Sequence, residues 1–398
     1  MMKFKRITTI VYDSFGIGQD ETASKFNDIG ANTYLHIKEN SKNMNIPTLK
    51  KLGLDCLLED SSDCIHTMNS YISKGHEKSN AKESMSGHWE MMGVVTDVPF
   101  PTFTETGFPK DLISELEKAW GKKIIGNKAA SGTDIIAEFG MEELESKGEK
   151  VIVYTSNDPV LQICGNEDII PLEELYSMSK KAREICDSRP EWKVGRIIAR
   201  PYVGNSVETF KRTSNRHDYA VPPTGKTYLD ELKNSGIKVQ GVGKIGDLFS
   251  MVGINDNIST SSNMDGIKKT LELIKKPISE KEFIFVNLVE FDSSWGHRRD
   301  LKGYSNGLTE VDPYLNKILE ASTEDDLIIV TADHGNDPSY RGTDHTRELV
   351  PILIYSKAFK SKGMIPDRTS FSDIGATIVD NFGVKTNIKG KSFLKELN

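Results

Sequence analysis

The sequence is short of cysteine, of basic clusters and of long apolar runs, and each shortage excludes a class of protein. Its four cysteines, Cys56, Cys64, Cys164 and Cys186, form no C-x-x-C pair and are too few in 398 residues for a disulfide framework. They read as reduced thiols, which points to a cytoplasmic protein. No apolar stretch is long enough to span a bilayer, and Ile7–Tyr12 near the N-terminus is too short for the core of a secretion signal. No Lys/Arg block dominates any segment, and the formal net charge is -7. A nucleic-acid binder needs a basic stripe to neutralise phosphates, so that class is disfavoured. There is no internal repeat and no low-complexity tract. Neither a membrane nor an obligatory protein partner is indicated.

The remaining composition is that of an ordinary globular protein. Hydrophobic residues make up 37% and charged residues 27%, enough apolar surface for a packed core. The length exceeds one ordinary core and suggests two domains, or one domain with an insertion. Short apolar, β-branched runs occur at Ile7–Tyr12, Val151–Tyr154, Ile197–Ala199, Phe283–Val289, Leu327–Thr331 and Ile352–Tyr355. Each is nearly continuous rather than alternating, the pattern of strands covered on both faces. Helical spacing follows Pro109 at Leu112, Ile113, Leu116 and Trp120. It follows Pro171 at Leu172, Leu175, Met178, Ala182 and Ile185. The alternation predicts an α/β fold with a mostly parallel sheet flanked by helices. Two proline-marked stretches, Val98-Pro99-Phe100-Pro101 and Val221-Pro222-Pro223-Thr224-Gly225, read as hinges. They predict a smaller α/β cap domain over 102–221, inserted into a core made of 1–101 and 222–398.

The chemistry gathers at strand ends. Leu327–Thr331 runs out into Asp333-His334-Gly335, Phe283–Val289 is followed by Asp292 and His297, and Ile7–Tyr12 ends at Asp13. His345 follows in Gly342-Thr343-Asp344-His345-Thr346. Ligands of open α/β sheets bind beyond the carboxyl ends of the strands. One Asp-His pair there is as easily a helix cap as a metal site, but four such motifs on one sheet edge predict two metal ions. Carboxylate and imidazole together suit Mn²⁺ or Zn²⁺. Three carboxylates and three neutral imidazoles around two divalent ions leave net positive charge, which suits a phosphate. A nucleophile is expected in Lys82-Glu83-Ser84-Met85-Ser86-Gly87-His88-Trp89-Glu90, where the pattern leaves Ser84 and Ser86 both open.

These motifs carry a resemblance. Asp13-Ser14-x-Gly16-Ile17-Gly18, Gly87-His88-Trp89-Glu90-x-Met92-Gly93, Gly296-His297-Arg298-Arg299-Asp300, Thr331-Ala-Asp-His-Gly-Asn-Asp337 and Gly342-Thr-Asp-His-Thr-Arg347 resemble the bacterial-type phosphopentomutases of the alkaline phosphatase superfamily. Gly195-Arg196-x-Ile198-Ala199-Arg200-Pro201 and Asn215-Arg216-His217-Asp218-Tyr219-Ala220 extend the likeness into the expected cap, so it runs from end to end. The resemblance implies an alkaline-phosphatase-like core and two Mn²⁺ per chain. Asp13, Asp333 and His334 would hold one ion, and Asp292, His297 and His345 the other. The family's threonine nucleophile falls at Ser84, and its usual aspartate at Glu83.

The resemblance also implies substrate contacts at Asp158, Arg196, Ile198, Arg212 and Lys244, small sugar phosphates as partners, and a sugar bisphosphate as activator. The implied reaction interconverts ribose or 2-deoxyribose 5-phosphate with the pentose 1-phosphate, through phosphoserine and a 1,5-bisphosphate. Three alternatives are a mutase for another sugar phosphate, a metal-dependent phosphomonoesterase on the same fold, and a binding protein with a vestigial site. The last ranks lowest, because all six metal positions are intact.

Overall fold

The apolar run at the start of the chain forms β1 (Arg6–Tyr12), buried along its whole length, and β2 (Ser70–Gly75) follows. Next come β3 (Lys123–Ala129), β4 (Lys150–Thr155), β5 (Val160–Asn166), β6 (Arg196–Val203), β7 (Lys211–Arg212) and β8 (His217–Ala220). The chain ends with β9 (Lys238–Val242), β10 (Asp256–Ile258), β11 (Glu282–Leu288), β12 (Asp326–Thr331), β13 (Val350–Tyr355) and β14 (Gly363–Met364). This computed structural model describes residues 3–58, 64–156 and 158–397. It divides into two units, Met1–Val98 with Pro222–Asn398, and Pro99–Val221.

The first unit is built on an eight-stranded sheet of order β10-β9-β11-β1-β12-β13-β2-β14. β10, β9, β11, β1 and β12 pair parallel, whereas β13 runs antiparallel to both β12 and β2. The register fixes where the site lies. Tyr12 pairs with Leu288 and Val11 with Thr331, so β1, β11 and β12 end level with one another. Whatever follows those three strands emerges at one sheet edge. At the opposite edge the buried Arg6 donates Nε to Asp326 at 2.5 Å and Nη2 to the Ile274 carbonyl at 2.7 Å. Its Nη1 also pairs with Glu282 at 3.3 Å, so one guanidinium locks the starts of β1, β12 and β11.

The second unit is an α/β layer with a mixed sheet of order β3-β4-β5-β6-β7, and β8 pairs with β6. Alternation along β4 explains its continuous apolar reading. Val151 and Val153 pack with Leu112, Leu116, Leu175 and Met178 from the helices Lys110–Trp120 and Leu172–Asp187. Ile152 and Tyr154 pack with Ile135 and Ile136 of the helix Gly132–Glu145. Both faces are covered, so both sets of side chains must be apolar.

Glu143 is the exception on that helix. It is buried and accepts hydrogen bonds from the N–H groups of Ile152 and Asn166 and from the Tyr202 hydroxyl at 2.7 Å. Burial pushes its carboxyl up to about 7. The folded value lies above the unfolded one, so the contribution of Glu143 to stability is complete below about pH 4.5 and is lost as pH rises through about 7. Urea denaturation should therefore show wild-type stability falling more steeply from pH 5 to 8 than that of Glu143→Ala. Equal slopes would show that Glu143 does not titrate there.

The cysteines correct one expectation. Cys56 and Cys64 are joined by a disulfide, with Cα atoms 4.6 Å apart, rather than standing as reduced thiols. The 3₁₀ turn Leu54–Leu57, which carries Cys56, follows Gly53 at φ +104°. Linear spacing carries no sign of that turn. Cys164 and Cys186 are buried free thiols, and burial pushes Cys186 up to about 12. Among the described residues no helix is long and apolar enough to cross a membrane.

Candidate metal centre and nucleophile

Three carboxylates reach the common edge by three different routes. Asp13 follows β1 directly and is held there by Ser14, a non-glycine residue at φ +73°. That left-handed conformation costs on the order of 1 kcal/mol or more. It is offset by the Ser14 N–H donating to Asp333 Oδ1 at 3.0 Å and by a contact of its hydroxyl with Tyr304 OH at 3.1 Å. Asp333 lies two residues beyond β12, and its neighbour His334 directs Nε2 at 3.4 Å from Asp13 Oδ1 and 3.3 Å from Asp333 Oδ2. Asp292 lies in a π-helical turn, Phe291–Gly296, a wide backbone turn often found at functional sites. The Asp292 oxygens are 3.3 Å from His297 Nε2 and 3.2 Å from His345 Nε2.

The six residues thus form one continuous cluster. Ligand atoms of Asp13, Asp333 and His334 converge, as do those of Asp292, His334 and His345. The rings of His334 and His345 are 4.1 Å apart, which puts His334 between the two sets. The Nδ1 of His334 donates to the Gly335 carbonyl at 3.0 Å, and that of His297 donates to the Thr343 carbonyl at 2.7 Å. Both rings therefore aim Nε2 into the cluster.

The electrostatics call for a cation. Burial, and then the neighbouring Asp333, push the Asp13 carboxyl up. Burial acts upward on Asp333 and Asp292 too, but adjacent imidazoles overcome it and hold both below the usual carboxylate range. Burial alone would lower His334; the Asp333 and Asp13 carboxylates hold it well above its ordinary value instead. The carboxylates draw a proton onto His334, a neutralising task that a bound divalent cation performs instead. The buried Oδ2 of Asp333 lies near the imidazole nitrogens of His88 and His334, at 3.1 and 3.3 Å, without a well-formed hydrogen bond to either, which leaves a carboxylate lone pair for an ion. The donor set fits a divalent metal.

Ser84 is the first residue of the helix Ser84–Met91. Its hydroxyl is 3.1 Å from His334 Nε2 and 3.4 Å from Asp13 Oδ1. Ser86 points elsewhere: it is fully buried and donates to Glu83 Oε1 at 2.5 Å. The geometry separates the two hydroxyls that the pattern left open. Gly87 sets how closely this helix approaches the cluster, since a Cβ at that position would collide with the Asp333 carbonyl oxygen. Gly87→Ala should push the helix away, lower stability by about 1–3 kcal/mol and reduce turnover more than it reduces stability. Urea denaturation and kcat on the same preparation check this, and unchanged kcat would show that the helix tolerates the shift.

Several supporting residues received no role from the sequence reading, though His88 and Asn336 stand within its motifs. His88 donates Nδ1–H to the Ser84 carbonyl at 2.8 Å and lies 3.1 Å from Asp333 Oδ2. Asn287 donates to Asp13 Oδ2 at 2.8 Å, and Asn336 donates to Asp292 Oδ1 at 2.8 Å. Glu348 is buried beside the cluster and accepts from the Thr33 N–H at 2.8 Å and the Thr346 hydroxyl at 2.6 Å. One signal was available: Asn287 is a lone amide in the apolar strand β11, a position that needs a polar partner.

The expected substrate contacts are placed as follows. Arg196 and Asp158 pair with each other at 3.0 Å, and Arg196 also lies 3.8 Å from Asp218. Ile198 is buried on β6. Arg212 is an exposed residue on β7. Lys244, in the first unit, precedes the short helix Ile245–Leu248.

Comparison with known proteins bears on this site. The model of the metalloenzyme superfamily matches residues 5–386. The phosphopentomutase of Agathobacter rectalis is 48% identical over 404 residues, spanning 100% of both chains. That of Clostridium tetani is 48% identical over 402 residues, and that of Clostridium perfringens 49% identical over 400, again at full length. Among solved structures, the PH0037 protein of Pyrococcus horikoshii is similar in fold, with a TM-score of 0.50 at 16% identity. The match covers 98% of this chain and 100% of that one.

Proposed function

The chain belongs to the phosphopentomutases of the metalloenzyme superfamily, and from that premise we propose that it interconverts ribose or 2-deoxyribose 5-phosphate with the corresponding pentose 1-phosphate. The observation that carries the reading is the Ser84 hydroxyl, 3.1 Å from His334 Nε2 at the edge of a cluster built for divalent cations. Asp13, Asp333 and His334 would hold one metal ion, and Asp292, His297 and His345 a second, with Mn²⁺ matching the mixed oxygen and nitrogen donors. Such ions would lower the pKa of the serine hydroxyl and offset negative charge on the transferring phosphoryl group.

The chain's own residues account for the rest. Ser84 begins a helix, so a phosphate on its Oγ sits at the positive end of the helix dipole, beside backbone N–H groups without helical partners. His88, bonded to the Ser84 carbonyl and close to Asp333, keeps nucleophile and ligand in one frame. In the forward direction Ser84 gives its phosphate to the C1 hydroxyl of the pentose 5-phosphate. The resulting 1,5-bisphosphate turns round and returns its 5-phosphate to Ser84. Each transfer needs in-line approach and exclusion of water. Arg212 and Lys244 are assigned to the distal phosphate, Arg196 and Asp158 to the sugar, and Ile198 to the wall beside it. A sugar bisphosphate would recharge Ser84 whenever its phosphate is lost.

The test follows both products. With Mn²⁺, ribose 5-phosphate and a trace of sugar bisphosphate, pentose 1-phosphate should form without matching free phosphate. Free phosphate alone would make the protein a phosphomonoesterase. Neither product, with metal bound, would mean a different sugar phosphate.

A further inference from the structure

Two residues before Ser84, Lys82 carries a cation whose side chain is only 16% exposed. Its Nζ lies 3.0 Å from Asp28 Oδ2 and 3.1 Å from Asp344 Oδ2. Both carboxylates are tied into the backbone around His345. Asp28 Oδ2 also accepts the Arg347 N–H at 2.9 Å, and Asp344 Oδ1 accepts the His345 N–H at 2.9 Å. One ammonium group therefore bridges the segment that carries the nucleophile and the turn that carries His345.

That turn has little packing of its own. Residues 341–344 are exposed, and Gly342 adopts φ +69°. The turn borders a cavity of about 410 Å³ whose walls include Phe26, Lys82, Tyr340, Arg341 and His345. Polar contacts hold it instead. Arg299 donates Nε to the Gly342 carbonyl at 2.5 Å and Nη2 to the Asp344 carbonyl at 3.0 Å, and His297 donates to the Thr343 carbonyl. Those contacts fix the turn to His297 and Arg299. Lys82 is the charged group that joins it to the Ser84 segment.

We propose that Lys82 is a positioning residue: it holds the His345 turn against the Ser84 segment and so sets the affinity of the Asp292–His297–His345 group for a divalent cation. The proposal rests on the reading of that group as a metal site. An exposed lysine pair contributes little and would set nothing. Lys82 is mostly buried and shared by two carboxylates, so its loss frees Asp344, half of whose side chain already faces water, to turn outward. His345 moves with it, because the Asp344 carboxylate caps the His345 N–H.

The experiment compares full-length wild type, Lys82→Met, Lys82→Arg and Asp344→Asn. Calorimetric titration with Mn²⁺ reads affinity directly, and kcat, KM and Tm are measured on the same preparations. Lys82→Met keeps the methylene stem and should weaken one of two Mn²⁺ binding steps by about tenfold or more, the usual cost of losing an outer-shell partner. The other step and the KM for ribose 5-phosphate should stay within about twofold, and Lys82→Arg should restore most of the affinity. Asp344→Asn, a change at a half-exposed side chain, should reproduce the loss and serves if Lys82→Met does not fold. Wild-type Mn²⁺ affinity in both Lys82→Met and Asp344→Asn, even with a lowered Tm, would overturn the proposal alone. Wild-type protein that binds no Mn²⁺ would overturn the metal-site reading and the proposal with it.

Discussion

Ser84→Ala is expected to leave the protein without covalent phosphate after incubation with a sugar bisphosphate, and to lower mutase turnover by on the order of 10³–10⁶-fold. The size follows from position. Ser84 places its hydroxyl 3.1 Å from His334 Nε2 and 3.4 Å from Asp13 Oδ1, among the groups expected to activate it. Ser86, two residues further along the helix, spends its hydroxyl on Glu83 at 2.5 Å and lies 3.2 Å from Thr96. Ser86→Ala removes a hydrogen bond to a carboxylate, worth about 1.5–3 kcal/mol of stability, but none to the cluster, and should weaken turnover by no more than about tenfold. Mass spectrometry of tryptic peptides reads the outcome. Phosphate on Ser86 in the Ser84→Ala protein would reverse the assignment.

Chelation should have the second large effect, on activity and on stability together. Removing divalent cations with EDTA is expected to abolish turnover and to lower the thermal midpoint. A bound ligand adds about 3 kcal/mol of stability at a concentration of about 100 times its Kd. The buried Asp13 and Asp333 explain the direction: without a cation, their repulsion is offset by the proton that they hold on His334. Mn²⁺ added back should restore both properties in wild type. In Asp333→Asn it should restore neither fully, because the orphaned oxygen that would meet the ion is gone. Full activity in EDTA would refute the metal requirement, and a recovery in Asp333→Asn equal to wild type would remove Asp333 from the ligand set.

Much of the site was legible because the strands are short and apolar and their ends are abrupt. Asp13, Asp292 and Asp333 each follow a run that has to be buried, so each stands where a chain leaves the core. The supporting residues were not legible for the complementary reason. Lys82, Asp28 and Asp344 are charged residues in ordinary surface-like contexts, and nothing in their neighbours shows that one ammonium joins them. Glu348 was hidden similarly, since its partners Thr33 and Thr346 include one 315 residues away. The Cys56–Cys64 bond joins residues eight positions apart, a spacing that matches no pairing motif.

What the sequence determined by itself is the kind of chemistry: α/β strands ending in carboxylates and imidazoles, a hydroxyl segment beside Gly87-His88-Trp89-Glu90, and the family likeness that these motifs carry. Local patterns are enough for that, because burial on both faces of a strand leaves its mark on every residue in it. The tertiary structure decided the assembly. The parallel register of β1 with β11 and β12 makes three strand ends coincide, which puts His334 between two sets of candidate ligands and Ser84 rather than Ser86 against them. Such contacts join residues hundreds of positions apart. They are selected by which strands lie side by side, a choice made by packing the whole sheet and not by any stretch of sequence within it.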